Sequence, residues 1–213
     1  EIAPVWVPPR YDDALDVDNG VRFDASLTAL TVLKPVFDRR YGTVTAGNAS
    51  PLTDGASAVL LMSDERARAM GYRPIAYIRS YAYAALDPGE QLLMGPVLAA
   101  PVALDRAGLT IGDMDLVEMH EAFAAQVLCN LKGLESRAWA ERAGFVKPVG
   151  EVDREKLNVM GGSISIGHPF GATGGRILMT LVNELARRGG QFGLMTVCAA
   201  GGMGHAMVVE RAS

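Results

Sequence analysis

Residues 158–176 read Asn158-Val-Met-Gly-Gly-Ser-Ile-Ser-Ile-Gly-His168-Pro-Phe-Gly-Ala-Thr-Gly-Gly-Arg176. The first half, Asn158 to Ile166, predicts a strand running into a glycine turn. Glycines there let the backbone turn tightly and pass close to a neighbour. His168 stands just beyond, between glycine and proline. After it, Ile177 to Ala186 has helical spacing, with Arg187 and Arg188 where cations suit the negative end of a helix. A strand, a glycine turn and a helix form the repeating unit of a layered α/β fold.

The flanking sequence repeats that unit. Downstream, Phe192 to Cys198 and Ala206 to Val209 predict strands. Upstream, Ile75 to Ala84 predicts a strand and Gly95 to Ala107 a helix ended by Gly108. Leu116 to Met119 is a short apolar strand. Ala122 to Ala143 has helical spacing (Phe123, Val127, Leu131, Leu134) and ends at Gly144. Alternation of this kind implies helices packed on a largely buried sheet. Nearer the start, Ser63 followed by Asp64 and Glu65 caps a helix running to Met70 and stopping at Gly71. Thr43 to Asn48 is β-prone, and Ala56 to Met62 reads as a buried strand or helix segment. Residues 1–36 are irregular, with prolines and then Asp12, Asp13, Asp16 and Asp18.

Composition narrows the function classes. In 213 residues, 24 acids against 20 bases give a net charge of −4, which disfavours a general nucleic-acid binder. Two cysteines, Cys129 and Cys198, exclude a disulfide scaffold and fit a reducing compartment. No signal peptide is visible, and the chain opens on Glu1, as a piece of a longer polypeptide would. The charge-free stretch between Arg188 and Glu210 holds six glycines, so it reads as two strands around a turn rather than a membrane span. A soluble chain is expected.

Three clusters carry chemistry. His120 lies in Glu118-Met-His120-Glu121-Ala-Phe123, where Ala124 occupies the place a zinc-binding second histidine would need. Its plainer role is to cap the following helix. His168 precedes a helix N-terminus with free N–H groups, but no Gly-Lys-Ser/Thr closes a phosphate loop. A buried structural histidine is the alternative. Cys198 ends an apolar strand beside Gly201-Gly202-Met203-Gly204-His205, where a thiol is either inert packing or a nucleophile or proton carrier. Gly202-x-Gly204 lacks the rest of a dinucleotide fingerprint, so no NAD site is expected. Cys129 reads as core, and His205 as strand packing without a role.

Together these blocks resemble the C-terminal half of a thiolase. The glycine–histidine run above resembles one family signature, and Gly193-Leu-Met-Thr-Val-Cys198-Ala-Ala-Gly-Gly-Met-Gly resembles another. Gly42-Thr-Val-Thr-Ala-Gly-Asn-Ala-Ser50 with Thr53-Asp-Gly-Ala resembles the segment closing the family's first core domain. His120-Glu-Ala-Phe123, where many thiolases carry asparagine first, is similar to the 3-ketoacyl-CoA thiolase (beta) subunits of trifunctional fatty-acid oxidation complexes. The resemblance implies an α/β thiolase-like fold with helices on a mixed five-stranded sheet. It divides the chain into a loop-domain remnant (1–36), the tail of the first core domain (37–72) and a second core domain (73–213).

It also implies an activity: thiolysis of 3-ketoacyl-CoA to acetyl-CoA and a shortened acyl-CoA. His168 would take the proton of a nucleophilic cysteine. Cys198 would protonate the departing enolate, a task suited by an unperturbed thiol pKa of about 8.5. His120 would support an oxyanion hole, with water, and a backbone N–H at Ala200 a second one. The usual glycine is absent there, so Ala200 asks for a backbone that tolerates a side chain. Ser50, Phe37 and Phe123 would line the pantetheine tunnel.

Imidazole and thiol should converge on one pocket. The family's nucleophile has a Cys-x-Ser context in its first half, whereas Cys129 is followed by Asn130-Leu131, so this chain alone should be inactive. No cofactor is implied, coenzyme A being a substrate. Implied partners are the missing N-terminal half, a second copy in a homodimer or higher oligomer, and a hydratase/dehydrogenase alpha subunit. The setting would be bacterial cytoplasm or mitochondrial matrix. Two other readings differ in class or direction. One is a non-catalytic acyl-CoA-binding module, which would not need all three reactive side chains. The other is a carbon–carbon condensing or biosynthetic acetoacetyl-CoA enzyme; Cys198 disfavours the condensing form.

Overall fold

A computed structural model describes residues 1–212. Two short strands, β1 (Val5–Trp6) and β2 (Ala14–Leu15), pair antiparallel near the start. The helices α1 (Leu27–Thr31) and α2 (Asp64–Ala69) follow, each capped by a serine hydroxyl, Ser26 and Ser63. Gly71 takes the left-handed conformation that ends α2. The rest runs β3 (Ala76–Ala85), α3 (Gly95–Ala107), β4 (Leu116–Met119), α4 (Ala124–Glu135), α5 (Arg137–Arg142), α6 (Ser163–Ile166), α7 (Thr173–Arg188), β5 (Phe192–Ala199) and β6 (Met203–Arg211). Among the described residues no helix is long and apolar enough to cross a membrane.

The main sheet has the order β3-β6-β5-β4, with β4 and β5 parallel and the other two pairs antiparallel. Alternation along each strand divides the apolar side chains between two layers. Val117, Met119, Leu194 and Val208 pack against α3 and α4 through Val97, Leu104, Leu131 and Leu134. Leu116, Met195 and Val209 pack against α7 through Ile177, Leu181 and Leu185. The sheet is therefore covered on both faces, as the apolar strand sequences require.

Among the described residues the main sheet has four strands rather than the expected five. Leu157 makes a single parallel bridge to Val117, and then the chain leaves the sheet. Asn158 (φ 47°) and Gly161 (φ 82°) are left-handed, and Ser163 to Ile166 winds into α6. The Asn158 side chain does what a further strand would have done for β4. Its Oδ1 accepts from Met119 N at 2.7 Å and its Nδ2 donates to Met119 O at 2.9 Å.

Three other expectations change. The single helix over 122–143 is two, because Ser136 is extended (φ −82°, ψ 120°) and caps α5 through its hydroxyl. Thr43–Asn48 and Ala56–Met62 form no strand: among the described residues the first makes only isolated backbone bonds, Val36 N to Val44 O and Ala124 N to Asn48 O, and in the second Leu60 and Leu61 are exposed. Cys129 is exposed rather than core, because the buried stripe of α4 runs through Val127, Asn130, Leu131 and Leu134.

Leu181 is fully buried between α7 and the sheet, so Leu181→Ala is expected to destabilise the chain by about 2–5 kcal/mol in urea unfolding. Val146, 95% exposed, is the control: Val146→Ala should change stability by less than about 0.5 kcal/mol.

Candidate active site

Parallel pairing makes β4 and β5 end on the same edge of the sheet. The register Met119 opposite Thr196 is extended one step by His120 N donating to Thr196 O at 2.9 Å. Helix α7 returns to β5 through a short glycine turn, so it runs against the strand. Its 16 residues span about 24 Å and the 8 of β5 about 26 Å, which brings the α7 N-terminus to that edge too.

Two imidazoles meet there. The His120 and His168 ring centroids are 4.1 Å apart, tilted by 40°. His120 is buried, and its Nδ1 lies 3.0 Å from Ser163 Oγ. Arg176 donates to the same oxygen at 2.8 Å. His168 is half-buried and held by its backbone N–H on Pro51 O at 2.9 Å. Its Nδ1 is 2.7 Å from Thr173 Oγ1, and that hydroxyl donates to Pro169 O. Thr173 has one hydrogen, already committed to a carbonyl, so satisfying both contacts requires His168 Nδ1–H to donate. His168 Nε2 is left with a free lone pair. Phe170 covers this ring at 4.7 Å.

Glycines permit this packing at two positions. A Cβ on Gly162 would lie 2.3 Å from the Glu121 carboxyl carbon, and Gly167 is left-handed (φ 102°) against Thr53. The Glu121 carboxylate ties the turn down, accepting from Asn158 Nδ2 at 2.8 Å and from Ile164 N at 3.1 Å.

The electrostatics keep both imidazoles neutral. Burial, then His168 and Arg176, push the His120 pKa down to about 3. Burial and then Arg176 also lower His168. Arg176 itself is lowered by burial, against the attraction of Glu118, Glu121 and Asp18. Buried Glu118 rises to about 8 because desolvation outweighs Arg176.

Cys198 lies at the same edge, one strand over, and is buried. It pairs with Gly204, whose backbone abuts Gly95 at the start of α3, so the thiol faces α3 while the histidine pair lies on the α7 side. Among the described residues no hydrogen bond joins the thiol to an imidazole, so the expected convergence is a shared edge rather than a bonded pair. Burial pushes the thiol up to about 11, well above the unperturbed value near working pH on which the sequence reading relied. Cys198 is therefore held as the acid form.

In the turn after it, the left-handed positions fall on Gly201 and Gly202, so Ala200 needs no glycine conformation. Ser50, Phe37 and Phe123 are brought together. Ser50 N and Oγ both donate to Ala122 O, Ala49 bridges Phe123, and the two phenyl rings meet edge-on at 6.3 Å. His205 stacks on Tyr83, away from these groups.

Sequence reasoning missed Ser163, Thr173, Arg176, Asn158 and Glu121. All lie inside quoted motifs, but small polar residues in a glycine-rich run look like turn formers. An apolar groove of about 510 Å³ lies elsewhere, between Leu60, Leu61, Tyr72 and Ile75 and α7 at Leu178 and Val182. Among the described residues no group of three acidic, histidine or cysteine side chains could hold a metal.

Residues 72–211 match the thiolase C-terminal domain family, and residues 1–65 the thiolase N-terminal domain family. The chain is 56% identical, over 99% of its length, to 48% of a 3-ketoacyl-CoA thiolase of Alteromonas mediterranea. With that of Shewanella woodyi it shares 54% over the same proportions. It thus spans about half the length of the curated relatives it matches. Among solved structures, a Bacillus anthracis acetyl-CoA acetyltransferase superposes with a TM-score of 0.83 at 37% identity, covering 99% of this chain and 49% of the other. Human mitochondrial 3-ketoacyl-CoA thiolase in complex with CoA gives 0.79 at 37%, covering 99% and 48%.

The buried groups predict a two-sided pH profile. Below pH 6.5 the unfolded chain binds a proton that His120 refuses until about 3, so its contribution is complete above 6.5 and lost as pH falls. Glu118 keeps its proton in the folded chain to about 8 but loses it near 4.5 when unfolded, so its contribution is complete below 4.5 and lost as pH rises. Urea midpoints measured across this range should show Glu118→Gln flattening the alkaline limb and His120→Gln flattening the acid one. A Glu118→Gln profile parallel to wild type at alkaline pH would refute the assignment.

Proposed function

The chain belongs to the thiolase family, and from that premise we propose that it carries the acid–base half of a 3-ketoacyl-CoA thiolase site. The observation behind this reading is the His120–His168 contact at the shared sheet edge, with His168 Nε2 free to accept a proton. The proposed division is a first core domain ending near residue 72 and a second over 73–213, with residues 1–36 as part of the substrate-covering loops.

In this mechanism a cysteine outside these residues gives its proton to His168 Nε2, and its sulfur attacks the 3-keto carbon. The C2–C3 bond breaks and its electron pair stays on C2 as the acetyl-CoA enolate, whose oxygen needs donors while the charge persists. His120 and the Ala200 N–H are proposed for those donor roles. Cys198, held as a thiol by burial, delivers its proton to C2 and becomes a thiolate. A thiolate whose conjugate acid is so weak is a strong base. It takes the proton of the incoming coenzyme A, whose sulfur then displaces the acyl group from the nucleophile.

Ser50, Phe37 and Phe123 form the proposed contact for the pantetheine arm, consistent with a human relative solved with CoA. No resident cofactor is needed by this chemistry. The proposed assembly is a homodimer or higher oligomer, working with a hydratase/dehydrogenase subunit in bacterial cytoplasm or mitochondrial matrix.

In the complete enzyme, His168→Asn is expected to lower kcat/KM for 3-ketoacyl-CoA thiolysis by about 10²–10⁴-fold, the usual worth of a general base. Cys198→Ala should abolish most thiolysis while acyl transfer to the nucleophile stays partly detectable in single turnover. Normal steady-state turnover by Cys198→Ala would remove the thiol from the mechanism. The 213-residue chain alone should not cleave acetoacetyl-CoA, and measurable cleavage would show that the nucleophile lies within it.

A further inference from the structure

We infer that Ser163 and Arg176 are positioning residues that fix His120 as the tautomer protonated on Nε2, opposite to the tautomer of His168. The tautomer follows from hydrogen-bond accounting alone; only its use as an oxyanion donor rests on the thiolase reading.

Ser163 is fully buried at the start of α6, and its hydroxyl offers one hydrogen and two lone pairs. A guanidinium donates and never accepts, so Arg176 Nη2, at 2.8 Å, occupies one lone pair. Within hydrogen-bonding distance of Oγ, the other partner among the described residues is His120 Nδ1 at 3.0 Å. Two arrangements fit that distance. If His120 Nδ1–H donates, Ser163 receives two donors and its own hydrogen is buried with no acceptor. If Ser163 donates to a bare Nδ1, the hydrogen of this fully buried hydroxyl is paired, and the chain Arg176–Ser163–His120 runs donor to acceptor throughout. Buried donors are paired in native structures, so the second arrangement holds. His120 then carries its proton on Nε2.

The neighbouring ring is set the other way. Thr173 spends its hydrogen on Pro169 O and can only accept from His168 Nδ1–H. Two imidazoles with centroids 4.1 Å apart thus present unlike Nε2 atoms. One has a lone pair that takes a proton, and the other an N–H that donates to developing negative charge. The difference comes from the hydroxyl behind each ring: one tied up as a donor, one tied up as an acceptor.

Arg176 is the origin of the second state. Without it, Ser163 could turn its hydrogen away and accept from Nδ1–H, and the tautomer would be free to mix. Arg176 keeps its charge beside the site through the attraction of Glu121 and Asp18, with Glu118 adding to it only once ionised, and that charge disfavours a second proton on His120.

Long-range proton–nitrogen correlation NMR on the full chain, with isotope-labelled histidine, reads the tautomer directly. The His120 signals are identified by their loss in His120→Gln. Wild type is expected to show a pyridine-like Nδ1 and a protonated Nε2 for His120, with the reverse for His168. Ser163→Ala should move the His120 Nδ1 resonance toward that of an unbonded nitrogen, and Arg176→Met should introduce a population protonated on Nδ1.

Wild-type His120 protonated on Nδ1 overturns the inference whatever the variants do. An unmoved Nδ1 resonance in Ser163→Ala, or an unmixed tautomer in Arg176→Met, removes that residue from the relay. None of these readouts depends on turnover. A failed thiolysis assay therefore overturns the proposed reaction and leaves the tautomer assignment standing, and the converse also holds.

Discussion

The parallel register of β4 against β5 is the constraint on which the site depends. Met119 opposite Thr196, extended by His120 N to Thr196 O, makes both strands stop on one edge. Because side chains alternate along a strand, a slip of one residue would exchange the two faces. Glu118 would leave Arg176 for the apolar layer under α3, and Met119 would take its place. The Asn158 amide clasps Met119 from the open side of β4 and pins that register where, among the described residues, no further strand does so. The turn carrying Asn158 then delivers Ser163 to one histidine.

Around this edge, burial and charge are matched so that reactive groups stay uncharged. Two imidazoles lie near a half-buried guanidinium and a thiol faces the other side of the sheet, and in each case desolvation favours the neutral form. The guanidinium is sustained in turn by the field of Glu121 and Asp18, joined by Glu118 once that carboxyl ionises. Removing one member of such a network would leave a partner desolvated and unpaired, which is more damaging than the bond itself is worth. That is the physical ground for treating Arg176 and Ser163 as parts of the site, although neither has a reactive role of its own.

Residues 1–72 relate to this edge unevenly. Most of that segment is exposed, including Phe23 at 97%, Phe37 at 76% and Leu60 at 71%. Yet residues 49–57 thread along the site: Ala49 bridges Phe123, Pro51 O receives the His168 N–H, and Ser57 Oγ donates to Ala172 O. The segment around Ser50, within the first family's match, is thereby joined to Phe123 and His168 in the second. Exposed large apolar side chains are concentrated in this segment, and clustering of that kind marks surfaces that pack against other polypeptide. This accords with relatives about twice as long.

By itself the sequence determined the elements whose evidence is periodic and local. Gly95–Ala107, Leu116–Met119, the helix around Ile177–Ala186 and the two final strands lie where apolar spacing and glycine stops put them. The motif blocks likewise marked His120, His168 and Cys198, because a histidine or thiol beside glycines at a strand end stands out. Only tertiary structure decided that Asn158–Ile166 leaves the sheet, since an asparagine's willingness to go left-handed is used only where its amide finds Met119. Only it could turn Cys129 outward, raise the Cys198 thiol, and give two adjacent histidines unlike protons. Those properties depend on which hydroxyl, charge or void lies within a few ångströms, and that is a matter of residues distant in the chain, about which local spacing carries no information.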